Sequence, residues 1–239
     1  MAITFNQGNG TSGGLLESSR SAGWSGGPTD SGKLIVVCIA TYKSGSNPTH
    51  AVADDVGNTY TLLAQITTVS GSDNYRLSIF YAKDTIAAGA GTNVTVTPSA
   101  TAFITFSIAN YSGADTTTPN DQSGTAGPTA GTAVSSGNIT PTANNELLAA
   151  AVTHLNGDIA MTTEAGWTLN FEVTDGTSVQ PISNEYKVQG TAAAEDADWT
   201  LGASTTWLAV IGSFKAAGAA ALPKNPFLHR QAVRRASTY

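Results

Sequence analysis

The stretch KLIVVCIATYK at residues 33–43 is apolar almost without a break. Successive side chains of a strand point to opposite faces, so a run like this is a strand buried on both sides. A second run, NELLAAAVTHL at 145–155, has the same character. Any fold for this chain must therefore cover two long strands above and below. Helical periodicity is nearly absent from the rest. What recurs is short β-branched or aromatic runs bounded by Gly, Asn, Asp, Ser and Pro, the pattern of an all-β chain.

Composition agrees. Charged residues make up 12% of the chain, about half the globular average of roughly 25%. Thr, Ser, Gly and Ala fill the gap and suit strands and tight turns. At 239 residues with 41% hydrophobic content the chain can bury a sizeable core. The one cysteine, Cys38, lies inside the first apolar run. It cannot form an internal disulfide and is expected to pack as a small hydrophobe.

The strands fall into two similar series. Each begins with a long apolar strand, then a Gly-led aromatic one (GNTYTLL, AGWTLNF) and a Tyr-bearing one (IFYAK, NEYKV). Each goes on to an alternating strand (NVTVTPS, DWTLGAS) and closes on an aromatic-led strand (FITFSIANYSG, WLAVIGSFK). Tyr60 aligns with Trp167, Tyr81 with Tyr186, Val94 with Trp199, Phe103 with Trp207, and Tyr42 with His154. Pseudo-repeats are thus expected at about 33–113 and 145–216. Residues 1–33 would add an edge segment, and the Pro- and Gly-bearing stretch 114–144 is expected to be a connecting loop. Two arrangements are open: each half closes its own small sandwich, or the halves supply the two sheets of one. The expected fold is the latter, an all-β, two-sheet antiparallel sandwich of jelly-roll type over residues 1–216, with internal pseudo-duplication.

Across roughly residues 20–216 the motifs DDVGNTYTLL, LSIFYAKDTIAAGAGTNVTVTPS, IANYSG, AGWTL, NEYKVQ and TTWLAVIGSFK resemble a jelly-roll-like β-sandwich module. That module occurs in virion proteins of tailed bacteriophages and in some bacterial surface proteins. The resemblance is one of pattern. It implies a structural, display or adhesive role and carries over no active site.

Candidate chemistry is sparse. Asp54, Asp55 and Asn58 in DDVGN could offer hard oxygens to calcium, although Gly57-Asn58 reads equally as a turn between strands. No other cofactor is expected. His50 could join Asp54 and Asp55, an incomplete metal set. Glu195, Asp196 and Asp198 read as a solvated loop. Glu172 and Glu185 fall on strands, but nothing pairs them for glycoside hydrolysis. Trp24, in a Gly-rich loop, is the aromatic suited to a surface carbohydrate site. Trp167, Trp199 and Trp207 sit at repeat positions and are expected in the core.

The charge is uneven. Residues 215–239 hold five of the 11 basic residues and none of the 17 acids, so the net −6 divides into +5 there and −11 over residues 1–214. An acidic body repels nucleic acid and anionic membranes. Residues 217–239 read as an extended C-terminal docking arm: an AAGAAA spacer, then LPKNPFLHRQAVRR. Asn225 and Pro226 suit a helix start. Phe227, Leu228 and Val233 would be buried on a partner, with Arg230, Arg234 and Arg235 pairing to carboxylates.

The N-terminus lacks a basic segment followed by a long apolar one, and the apolar runs are too short to span a bilayer. These features imply synthesis in a host cytoplasm without Sec export, and no membrane partner. The expectation is a non-enzymatic structural protein located in the virion of a tailed phage. It would be capsid-decorating or head-attached, held by its arm to a copy of itself or another virion subunit in a symmetric assembly. The alternative is a carbohydrate-binding or adhesive module of a tail or host-recognition structure.

Overall fold

The computed structural model describes residues 2–155, 158–174 and 180–218. These residues form 14 strands, all paired antiparallel, and no helix. The first central sheet has the order β1 (Thr4–Ser12), β8 (Phe103–Ser112), β3 (Leu34–Ser44), β6 (Asp73–Ala82), β5 (Thr61–Ser70). A smaller sheet of β2 (Arg20–Gly23), β7 (Asn93–Pro98) and β4 (His50–Asp54) lies on its outer face.

The second central sheet has the order β9 (Asn120–Ser135), β14 (Asp198–Phe214), β10 (Glu146–His154), β13 (Ile182–Gln189), β12 (Thr168–Val173). The start of β14 folds over this sheet's outer face. There Asp198–Leu201 pairs with the end of β9 on one side and with β11 (Met161–Thr163) on the other.

The two apolar runs explain this layering. Leu34, Val36, Cys38 and Ala40 of β3 face Leu147, Ala149 and Ala151 of β10 across the central layer. The alternate residues Ile35, Val37 and Ile39 pack under the β2–β7–β4 cover. Leu148, Ala150 and Val152 pack under the β11–β14 cover with Trp167, Trp199 and Trp207. The expected sandwich is therefore present, and each of its sheets also carries a cover. Cys38 is buried, and burial pushes its thiol up to about 12.

The two central sheets repeat one strand order, each built from one half of the chain. They are stacked so that β1 lies against β12, and β5 against β9 and β14. Phe5 stacks on Tyr186 at 4.9 Å, and Tyr81 meets Phe214 edge-on at 5.5 Å. Every edge strand of the central sheets carries a bulge: at Phe5/Gln7 in β1, at Leu62/Ala64 in β5, at Leu169/Phe171 in β12, and repeatedly along β9. A bulge leaves one residue unpaired and bends the edge.

One sequence expectation needs correction. Residues 120–135, placed in a loop, form β9, which pairs with β14 almost end to end. Small residues are what let it approach. A Cβ on Gly127, at φ +99°, would lie 2.5 Å from the Trp207 carbonyl oxygen. Tyr42 pairs with Phe103, Thr41 with Ile104, and His154 with Trp207. His154 is wholly buried.

Candidate functional site

The DDVGN segment closes the turn between β4 and β5, where Gly57 takes φ +87°. Asp54 Oδ1 accepts from the backbone N–H of Gly57 at 2.8 Å and of Asn58 at 2.9 Å. Its Oδ2 accepts from Asn58 Nδ2 at 2.7 Å and the Tyr60 hydroxyl at 3.0 Å. Burial first, then the Asp54 charge, push the Tyr60 phenol well up. Asn58 Oδ1 accepts from Ile86 N at 2.8 Å, and Asp55 Oδ2 from Asn93 N at 2.8 Å. Both Asp54 oxygens, Asn58 Oδ1 and Asp55 Oδ2 are thus already engaged as acceptors, in competition with any oxygen-seeking cation. The set fits a clamp tying the turn to the loop before β7. Among the described residues no three His, Cys, Asp or Glu side chains are placed to hold a metal ion.

His50 does not join Asp54 and Asp55. It stands at the other end of β4, bridging Thr41 Oγ1 at 2.8 Å and Ser78 Oγ at 3.1 Å. Burial, then the nearby Arg76 charge, push it down to about 3, so it is a neutral bridge between two hydroxyls. Trp24 is half-buried and packs against the first outer layer, which leaves less of its ring for a sugar than an open loop would. Trp167, Trp199 and Trp207 are buried, as their repeat positions imply.

Among the acids, Glu195 pairs with Lys187, and Asp196 Oδ2 accepts from Ser135 Oγ at 2.8 Å. Glu164 and Asp198 line an open cleft of about 190 Å³ between β11 and β14, with Thr162, Trp199 and Thr200. Glu172 and Glu185 lie on adjacent strands β12 and β13. Glu185 is fully buried, and burial followed by repulsion from Glu164 and Asp198 pushes it up to about 8. Strand alternation in NEYKV sets Glu185 opposite the core-facing Tyr186, but the cover that buries it is formed by residues distant in sequence.

The first and last described residues lie close together. Gly113, at φ +83°, abuts Ala2: a Cβ there would lie 2.4 Å from the Ala2 carbonyl oxygen. Ala216 bridges to Ala114, and Ala217 N donates to Gly113 O at 2.7 Å. The start of the chain, the junction of its halves and the last described strand thus meet at one place. The arm residues Phe227, Leu228, Arg230, Val233, Arg234 and Arg235 lie outside the described residues. Comparison of the chain with known protein families, with curated proteins and with solved structures found no match.

Proposed function

We propose that the chain is a non-enzymatic structural protein of a tailed-phage virion, a decorating or head-attached subunit held to a neighbouring subunit by residues 217–239. The observation that carries this reading is the closeness of the first and last described residues. Ala2, Gly113–Ala114 and Ala216–Ala217 gather at one place, which would let a body attached there present its other surfaces for display. The charge supports it: a −11 body with a +5 terminal segment suits attachment to an acidic protein surface, which a neighbouring copy would offer. On the same reading the two halves are copies of one unit that together make a single two-sheet sandwich of jelly-roll type.

The test is assembly. A chain ended after residue 216 is expected to keep the circular dichroism of a β-protein and to be lost from purified particles. Arg234→Ala with Arg235→Ala is expected to weaken incorporation in a salt-dependent way. Normal incorporation of the shortened chain would overturn the reading.

A further inference from the structure

Glu185 occupies the outer face of the second sheet, opposite Ala150 on β10 and Leu169 on β12. It is fully buried, and neither carboxyl oxygen has a hydrogen-bond partner. The layer around it is apolar, with Trp167, Trp199 and Leu201 above the sheet. The indole N–H groups of Trp167 and Trp199 are themselves buried without partners. An ionised carboxylate left in such a place carries a large desolvation penalty.

The charged groups around it deepen the penalty. From the cover come Glu164, just after β11, Asp198 at the start of β14, and Asp196 and Glu195 in the loop before it. From the sheet come Glu172 on β12, Glu146 and His154 at the two ends of β10, and Lys187 two residues along on β13. Lys187 is engaged by Glu195. Glu164 and Asp198 act directly against a negative Glu185.

We propose that the β11–β14 layer is a pH-operated cover, closed over a neutral Glu185 and released when Glu185 ionises. The carboxyl, pushed from its ordinary 4.5 to about 8 by burial first and then by Glu164 and Asp198, sets the window. Its contribution to closure is full below 4.5 and is lost as the pH rises through 8, by at most about tenfold per pH unit. Opening hydrates the carboxylate and separates it from Glu164 and Asp198. Within the cover Met161–Thr163 pairs with Trp199–Leu201, and the cover joins the end of β9 through Asp198, Trp199 and Thr200 with Ser135, Val134 and Ala133; these short pairings can open without dismantling the central sheets.

The test is amide hydrogen exchange of the full-length protein from pH 5 to pH 9, with intrinsic rates corrected for pH. Peptides spanning 161–163 and 198–201 are expected to lose protection by about 100-fold between pH 5 and pH 8. Peptides spanning 20–23 and 93–98, from the first cover, should keep theirs. In Glu185→Gln the loss should shrink to the remainder set by Glu164 and Asp198. Protection that is indifferent to pH, or lost equally in the first cover or in Glu185→Gln, overturns the proposal. Should Glu185→Gln fail to fold, Glu164→Gln with Asp198→Asn must shrink the loss, and an unchanged loss is equally fatal. None of these outcomes depends on the arm.

Discussion

The outer layers of the two halves share a frame and differ in what fills it. Phe80 pairs with Val37 and with Leu62, just before the β5 bulge; Glu185 pairs with Ala150 and with Leu169, just before the β12 bulge. Under one cover that position holds a phenyl ring, under the other a carboxyl. At the rim, Asp55 N donates to Asn93 O in the first half, and Glu164 N to Asp198 O in the second. Asn93 satisfies the Asp55 carboxylate through its backbone N–H, whereas Asp198 sets a second carboxyl beside Glu164. The first cover is thus closed by apolar burial and satisfied hydrogen bonds. The second is closed against the preference of its acids, which makes it the half that responds to solvent conditions.

The largest effect should come from carrying the second half's choice into the first. Phe80→Glu replaces a buried ring with a carboxyl and is expected to cost about 4 kcal/mol in urea unfolding at pH 8. The cost should be smaller at pH 5, where the new carboxyl is largely neutral. An equal loss at both values would locate the cost in lost packing alone.

The reverse exchange should stabilise. Glu185→Leu is expected to gain about 2 kcal/mol at pH 8 and to gain less near pH 4.5, where the native carboxyl is neutral in the folded chain and only half ionised in the unfolded one. A gain independent of pH would show that Glu185 does not titrate with opening. The smallest effect falls on the turn clamp of the first half. Tyr60→Phe removes the hydroxyl that donates to Asp54 and should cost about 1 kcal/mol, read from the thermal midpoint.

Much of this frame was legible in the sequence. Apolar runs identified β3 and β10 and required cover on both faces, and the matched series placed Tyr60 with Trp167 and Val94 with Trp199. In the register Thr61 faces Tyr81 as Thr168 faces Tyr186, and Asp54 faces Val94 as Thr163 faces Trp199. β9 was hidden because its residues are small. It is a strand because β14 offers it a partner, not because its own side chains prefer a pleated surface. β14 bends between Thr200 and Thr205 as it passes from cover to sheet, and spacing in sequence does not record the bend.

At the candidate sites the turn at Gly57 was readable, but the clamp made by Asp54, Asp55 and Asn58 was not. Its partners Ile86 and Asn93 are 28 and 38 residues away. Glu185 was readable as a strand residue opposite Tyr186. On a half-buried strand that alternation puts the glutamate in water. A second layer inverts this, and only the tertiary fold supplies the second layer.

The bulged edges bear on how such bodies can coexist. A straight, unpaired sheet edge is a template, and two copies held side by side at high local concentration would zip together through their backbones. Here β1, β5, β9 and β12 each interrupt that template with unpaired residues. A second copy would therefore find no continuous backbone seam along the edges of the central sheets. Any contact made there would fall to side chains and not to indiscriminate growth of the sheets.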